Sequence, residues 1–293
     1  MIADAAAPAL VGPRLEVRVS SPSAPARAPR GAEAIAILVG AAFVAGLVLL
    51  PLVSVFAEAF SAGFAAFAAT FADRYAQSAI VLTLEVAAIT LVANTLFGVL
   101  AGWTIAKYRF PGKALLLSAI DLPLSVSPVV AGLAILLSVG GRSPVGAWLL
   151  AHGVQVAFAT PGIVLATIFV TFPYVAREFA AFLQEQGRDL EEAALSLGAS
   201  LWQTFTRVTL PGARWALLNG ILLCNARAMG EFGAVSVISG RIRGLTDTVP
   251  LHIEILYNED AFVGAFSLAA TLAFVTIVLT LLRAWVERRS HGR

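Results

Sequence analysis

Two charged residues, Arg227 and Glu231, interrupt an otherwise uncharged stretch of the sequence that runs from Trp215 to Gly240. A helix that rises about 1.5 Å per residue carries Arg227 roughly 18 Å beyond Trp215. An arginine at that depth in a membrane costs about 2.5–3.5 kcal/mol on insertion scales, so it needs a partner or a function. Glu231 lies one turn further on the same helix face and can neutralise it. The pair predicts either a structural or gate-forming ion pair or a contact for an anion, and pairing favours the gate because Glu231 repels anions.

A second set of candidate anion contacts lies in the apolar stretch from Ala114 to Val139. Pro123 and Pro128 each remove a backbone donor and kink a helix, which frees carbonyl groups and turns the hydroxyls of Ser125 and Ser127 toward a cavity. Uncharged hydroxyls suit an anion path. The alternative is a kink that serves packing only, with the serines satisfying the freed carbonyls.

Four further polar residues lie inside apolar stretches and have weaker cases. Asn225 and Thr171 could contribute to the path as the serines do. Asp121 is expected to cap a helix or to pair near the membrane surface. Glu85 has no role that the sequence assigns.

Several kinds of chemistry lack the residues they need. The chain has one cysteine, Cys224, and three histidines, all of which fall between or after the apolar stretches, so no metal ligand set, disulfide framework or hydrolytic centre within the membrane is predicted. The phosphate-binding pattern G-x-x-x-x-G-K-[ST] is absent, the nearest fragment being Pro111-Gly112-Lys113-Ala114. We therefore expect no catalytic residues, no metal and no cofactor in this chain, and ATP with magnesium only in a partner.

The elements that position these residues are long apolar helices. Of the 293 residues, 59% are hydrophobic and 13% are charged, against about 25% charged in soluble proteins. Each apolar stretch is long enough to cross about 30 Å of hydrocarbon. The sequence predicts an all-α membrane protein with six transmembrane helices, at Ala34–Phe56, Gln77–Ile105, Ala114–Val139, Thr160–Phe182, Trp215–Gly240 and Phe262–Trp285.

The distribution of charge predicts the orientation and the domain limits. With the N-terminus inside, fifteen Lys and Arg residues fall on the inner side and four on the outer side, so both termini are expected in the cytoplasm. Residues 1–32, rich in Ala, Pro and Arg, are predicted to be a disordered cytoplasmic tail, with a cleavable signal peptide as the alternative. Residues 33–286 form the predicted membrane domain, and residues 287–293 form a short C-terminal tail.

The longest hydrophilic segment within the membrane domain is the 188–214 loop, RDLEEAALSLGASLWQTFTRVTLPGAR. Its acidic first turn suits a helix N-terminus, and Gly198 permits a break or sharp bend. A second short helix is expected to carry an apolar stripe, and Pro211 to end it. The predicted helix, break and helix form a docking surface; the stripe consists of Leu201, Trp202, Phe205 and Val208.

This loop resembles the EAA loop of ATP-binding-cassette (ABC) importer permeases. Glu192-Ala193-Ala194, three residues, Gly198, nine residues and then Val208-Thr209-Leu210-Pro211 match that motif in order and spacing. Val208 is a conservative departure, since the family more often has isoleucine there. The resemblance implies a type I importer (MetI-like) permease fold, in which the loop is the coupling helix that sits in a cleft of the ATPase. The coupling residues it implies are Glu192, Ala193, Ala194, Gly198, Leu210 and Pro211.

Other segments resemble the sulfate and thiosulfate permeases of the CysW family over roughly residues 33–286. They include ATIFVTFPYVAR from Ala166, DLPLSVSPVVAGL from Asp121 and CNARAMGEFGAVSVISGRIRGLTDTVPLHIEILYNED from Cys224. Molybdate and tungstate permeases share the EAA loop but are less similar between Arg227 and Asp260. They remain the alternative, as does, in a different class, an ion-coupled secondary anion transporter.

The resemblance also implies partners and a location. These are a CysA-type ATPase, a paralogous CysT-type permease subunit, a periplasmic sulfate- or thiosulfate-binding protein and the lipid bilayer of a bacterial inner membrane; no nucleic acid is implied. The outer segment that holds Arg241, Arg243, His252 and Glu254 is then either a docking face for the binding protein or a solvated loop.

Overall fold

A computed structural model describes residues 31–290 of the chain. The predicted N-terminal tail up to residue 30 and the last three residues lie outside the described part. Every regular element within residues 31–290 is helical, which confirms the all-α class. The helices are α1 Gly31–Ala59, α2 Phe64–Thr70, α3 Arg74–Lys107, α4 Lys113–Ser125, α5 Pro128–Val139, α6 Pro144–Ala151, α7 Thr160–Gln186, α8 Asp189–Ser196, α9 Leu201–Thr204, a π-helical turn Phe205–Thr209, α10 Leu210–Gly212, α11 Arg214–Met229, α12 Gly233–Ile238, α13 Val249–Asn258 and α14 Phe262–Ser290.

Four of the described helices are long and apolar enough to cross a membrane, and they lie in α1, α3, α7 and α14. A fifth crossing is formed if α4 and α5, which meet at a bend of 114°, make up one broken span. Four of the six predicted spans are thus continuous helices. The chain divides into two compact units, one up to Val48 and the other from Leu49 onward, and every site described below lies in the second unit.

The span predicted from Ala114 to Val139 is broken between Ser125 and Pro128. Val126 and Ser127 have extended backbones, with ψ of 138° and 133°, as expected before a proline whose ring excludes the helical conformation of the preceding residue. Pro123 lies inside α4, so the break in this span occurs at Pro128, the first residue of α5, and not at Pro123.

The long helix α7 shows where the two halves of the broken span lie. In α4, Ile120 packs in one cluster with Ala176 and Ala180, near the C-terminal end of α7. In α5, Ile135, Leu136 and Val139 pack with Ala166 and Val170. These contacts are about ten residues apart on α7, or roughly 15 Å. The chain therefore advances along α7 through the bend.

The span predicted as Trp215–Gly240 is also wrong as a continuous helix, because it ends at Met229 and restarts at Gly233. Glu231 lies between the two pieces, and its Oε1 accepts a hydrogen bond from the backbone N–H of Ala234 at 2.9 Å, in the first turn of α12. The first N–H groups of a helix have no partner within it, so the Glu231 carboxylate stabilises a helix that starts anew at this point. The glycine at 230 adds to the break, since glycine weakens a helix interior.

Close packing of α3 on α7 forms the centre of the second unit. A Cβ added to Gly102 would lie 2.8 Å from the carbonyl oxygen of Ala176, and one added to Gly98 would lie 2.9 Å from the Cβ of Val175. The two helices therefore approach to a distance that only glycine allows.

We expect Gly102→Ala to lower the stability of the purified protein by about 1–3 kcal/mol, because the new methyl group meets backbone rather than a mobile side chain. Thermal unfolding in detergent measures this effect. Gly46→Ala is the matched control: a Cβ at Gly46 meets nothing within 4 Å, and its helix should gain from alanine. Equal melting temperatures for the two variants would contradict the assigned packing.

Candidate functional site

The 188–214 loop folds as α8 and a second helical run over residues 201–212 (α9, the π-helical turn and α10), with the predicted break at Gly198 between them. The prediction that Pro211 ends the second helix is wrong, because Pro211 lies in the first turn of α10 and its missing N–H is tolerated there. Gly198 has a φ of +88°, in the left-handed region, and a Cβ there would meet nothing within 4 Å. Backbone conformation, rather than lack of space, therefore favours glycine. The second helix begins with a capping box, in which the N–H of Gln203 donates to the Ser200 hydroxyl and the N–H of Ser200 donates to the Gln203 side chain.

The inner side of the loop is tied to the C-terminal end of α3 by a group that we call the Lys107 joint, formed by Lys107, Glu191 and Thr209. The Nζ of Lys107 lies 3.0 Å from Oε2 of Glu191, and the Thr209 hydroxyl donates to Oε1 of Glu191 at 2.6 Å. Lys107 Nζ also donates to the carbonyl of Gly187 at 2.9 Å. The Lys107 side chain is only 8% exposed, so this carboxylate is its close counter-charge.

Aromatic packing adds a second link between α3 and the loop. The ring of Trp103, in α3, lies 5.4 Å from that of Phe205 and 5.6 Å from that of Tyr108. The predicted apolar stripe is thus divided: Phe205 and Val208 are half-buried, whereas Leu201 and Trp202 face outward.

The outer side of the loop carries an exposed apolar surface that we call the loop patch, made of Leu197, Leu201 and Trp202. Their exposed fractions are 89%, 63% and 72%. Glu192, the acidic residue of the EAA motif, is also exposed. Large apolar side chains this exposed on a hydrophilic loop are typical of a surface that binds another protein. Glu192, the predicted coupling residue, is therefore exposed at the surface of the loop. Its neighbour Glu191 points the other way and binds Lys107 and Thr209.

The second candidate site lies where the two helix breaks meet. A Cβ added to Gly233, at the start of α12, would lie 2.8 Å from the Cβ of Pro128, at the start of α5, and one added to Gly132 would lie 2.6 Å from the carbonyl oxygen of Ala234. Ser125 and Ser127 flank this junction and are exposed. The predicted path residues Ser125, Ser127, Arg227 and Glu231 therefore all lie at or beside these two interruptions.

Arg227 and Glu231 are paired as predicted, with Arg227 Nη1 2.6 Å from Glu231 Oε2. The Glu231 side chain is fully buried, and its other oxygen accepts the N–H of Ala234. Arg227 is one-third exposed. Both carboxylate oxygens are thus engaged, whereas the guanidinium group still reaches an open surface.

The outer segment was predicted as a docking face or a solvated loop. His252 is buried there, and its Nδ1–H donates a 2.8 Å hydrogen bond to the carboxylate of Asp247, so it is not part of the exposed surface. Arg241 pairs with Glu254 at 3.1 Å. Arg243 pairs with Glu259, whose hydrogen bond raises the pKa of Arg243 above its usual value. Both arginines are thus paired with acids, so the residues named here do not form a patch of one charge on which a partner could dock.

Apolar crossing helices, a polar junction at helix breaks and an exposed loop together define a membrane transport subunit. A family profile described as "Binding-protein-dependent transport system inner membrane component" matches residues 94–292. One chain in the crystal structure of a bacterial alginate ABC transporter, in complex with an alginate pentasaccharide-bound periplasmic protein, has the same fold, with a TM-score of 0.68 and 19% identity over 87% of this chain and 94% of that chain. The predicted importer permease fold is confirmed.

Two relatives narrow the assignment. The sulfate transport system permease protein CysW of Synechocystis sp. is 49% identical over 83% of this chain and 88% of that protein. CysW of Escherichia coli K12 is 47% identical over 84% of this chain and 85% of that protein. The chain belongs to the family of binding-protein-dependent inner membrane transport components, and within it to the CysW permeases.

Sequence reasoning missed the Lys107 joint. Lys107 and Glu191 lie in separate hydrophilic segments, and neither belongs to the EAA motif as its letters are written. One feature of the sequence indicates this contact: the distribution of Lys and Arg residues predicts that both segments lie on the same side of the membrane.

Proposed function

We propose that this chain is a permease subunit of an ATP-driven importer that moves sulfate, and also thiosulfate, into the cell. The observation that carries the proposal is the 188–214 loop. One side of this loop exposes the apolar loop patch, and the other side is bound to the membrane-crossing helix α3. The CysW relatives, named as sulfate transport permeases, supply the substrate. Molybdate or tungstate remains the alternative substrate.

The proposed coupling runs from the loop patch to the crossing helices. An ATPase of the CysA type, which binds ATP and magnesium, grips Leu197, Leu201 and Trp202 and contacts Glu192. The Lys107 joint carries the displacement of the loop to α3. Because α3 packs on α7 at glycine distance, the two helices move as one body, and a shift of the loop changes which side of the membrane the path faces.

The assembly that we propose contains further partners. They are a CysT-type permease subunit that completes the path, a second ATPase copy and a periplasmic binding protein that delivers the anion. The excess of Lys and Arg on one side supports cytoplasmic termini and a cytoplasmic 188–214 loop. This orientation places the loop patch where the ATPase is.

In the proposed path, the Arg227–Glu231 pair is the gate, and Arg227 is the cationic group that meets the anion when the pair opens. An oxyanion that leaves water needs donors or positive charge in their place. Arg227 offers both, since it is partly exposed, while Glu231 anchors it at the start of α12. Ser125 and Ser127 add hydroxyl donors at the neighbouring break.

Reconstitution tests the proposal directly. Proteoliposomes that contain this chain, its sister permease and the ATPase should take up radiolabelled sulfate only when ATP is present on the ATPase side and the binding protein on the other. Uptake should persist when ionophores collapse the proton and sodium gradients. Uptake that follows those gradients without ATP would instead establish an ion-coupled secondary transporter, and a preference for molybdate in competition would establish the alternative substrate.

A further inference from the structure

An open groove runs along α4, α7 and α11, apart from the junction at Arg227. It has a volume of about 300 Å³, and its lining includes Leu124, Tyr174, Arg177, Glu178 and Leu223. A small tetrahedral oxyanion fits within such a volume. The wall is mainly apolar and carries two charged residues: Arg177, which pairs with Asp121, and Glu178, which accepts a hydrogen bond from Asn219.

The pair consists of Arg177 in α7 and Asp121 in α4. Arg177 Nε lies 3.0 Å from Oδ1 of Asp121, and Arg177 Nη2 donates to Oδ2 at 3.3 Å. The side chains are 58% and 40% exposed. This is the fork-to-fork geometry in which guanidinium groups hold carboxylates, and the same fork holds two oxygens of an oxyanion.

The position of Arg177 along α7 places this pair within the membrane. A helix of 27 residues is about 40 Å long, so a 30 Å hydrocarbon layer centred on it leaves roughly 5 Å at each end. Arg177 is nine residues, or about 13 Å, from the C-terminal end of α7. With the membrane so centred, a charged pair at this depth is more stable facing water or protein than lipid, and its exposure fits a wall of a water-accessible path.

The register of α11 against α7 relates Arg177 to Arg227. The side chain of Asn219 donates to Glu178 at 3.1 Å, and a Cβ on Gly220 would lie 3.3 Å from Cα of Val175. The two helices are therefore antiparallel, with positions 219–220 level with 175–178. Arg227 is one turn beyond Leu223, a groove residue, on the same face. It lies roughly 10–13 Å further from the 188–214 loop than Arg177 does.

We propose that Arg177 and Asp121 form a second anion station of the path, between the Arg227 junction and the loop. Asp121 occupies the guanidinium fork when the path is empty and gives way to the oxyanion when it arrives. Competition from Asp121 keeps the anion from being held too tightly, as conduction requires binding that is strong enough for entry and weak enough for exit. This inference rests on the proposed function.

The test uses Arg177→Gln, Asp121→Asn and the double variant in the reconstituted importer, with Arg177→Lys as the variant that keeps charge but loses the fork. Co-purification of the ATPase and sister permease shows that each variant assembles. Arg177→Gln and the double variant should lose at least about tenfold in ATP-driven sulfate uptake, since a charge-assisted contact is lost. Arg177→Lys should lie between these variants and the unaltered protein.

Asp121→Asn should have a different phenotype. In the purified complex without the binding protein, radiolabelled sulfate should bind at least about threefold more tightly to this variant, because its competitor has been removed. Restoration of uptake in the double variant, or unchanged sulfate binding in Asp121→Asn, would make the pair purely structural and overturn the inference. Failure of the unaltered importer to take up sulfate would instead refute the proposed function.

Discussion

Glu192→Lys is expected to leave the subunit inserted in the membrane and to remove both the bound ATPase and sulfate uptake. Glu192 is exposed in the first turn of α8, the helix that leads into the loop patch. Reversal of its charge in that turn costs the helix only about 0.3–1 kcal/mol through the helix dipole, too little to unfold the loop. The large effect arises at the docking surface, where a repulsive charge replaces an attractive one. Co-purification of the ATPase and uptake of radiolabelled sulfate measure the two losses.

The adjacent residue provides the matched variant. Glu191→Gln keeps an oxygen for the Thr209 hydroxyl but removes the charge that neutralises the nearly buried Lys107. We expect this variant to retain the ATPase and its ATP hydrolysis while uptake falls, because the link between the loop and α3 loses its ion pair. The two neighbours thus separate docking from transmission. If Glu191→Gln releases the ATPase as Glu192→Lys does, the Lys107 joint shapes the loop and does not transmit its movement.

The contrast between these neighbours shows what a motif can specify. The EAA letters and Gly198 identified the loop and its break, because glycine with a positive φ and an acidic helix start are local properties. The ion pair from Lys107 to Glu191 joins residues that are 84 positions apart, and no local pattern encodes such a contact. The division of the apolar stripe, with Phe205 inward and Trp202 outward, likewise depends on the presence of Trp103 across from the loop.

The helix breaks show a different limit. A hydropathy window measures composition and is insensitive to continuity, so it reads Trp215–Gly240 as one span. The sequence nevertheless contains both interruptions in local form: a serine before a proline at 127–128, and an acid between glycines at 230–233. These are start signals for a helix. What the sequence could not show is that the two breaks meet, with Gly233 packed against Pro128.

Arg227→Ala is expected to abolish sulfate uptake, with a fall of about a hundredfold or more. The reason is twofold: the path loses its principal cation, and the fully buried carboxylate of Glu231 loses its counter-charge. Breaking a buried pair from one side costs about 3–5 kcal/mol, enough to reduce assembly as well as transport. Uptake in proteoliposomes, normalised to the amount of assembled complex, measures the effect. Normal uptake would remove Arg227 from both the gate and the path.

The double variant Arg227→Ala with Glu231→Gln separates the two causes of that loss. Glutamine keeps an oxygen that accepts the N–H of Ala234 at the start of α12, so the helix break is preserved and no buried charge remains. If Arg227 contacts the anion, this variant should assemble in normal amounts and still fail to transport. Recovery of uptake would mean that Arg227 serves only to neutralise Glu231, and the junction would then be a structural pair beside a path formed by other groups. Arg227→Lys keeps the positive charge but replaces the planar guanidinium group with a compact ammonium group. This variant should assemble and transport sulfate at a reduced rate, because lysine cannot bind two anion oxygens in the bidentate geometry of arginine.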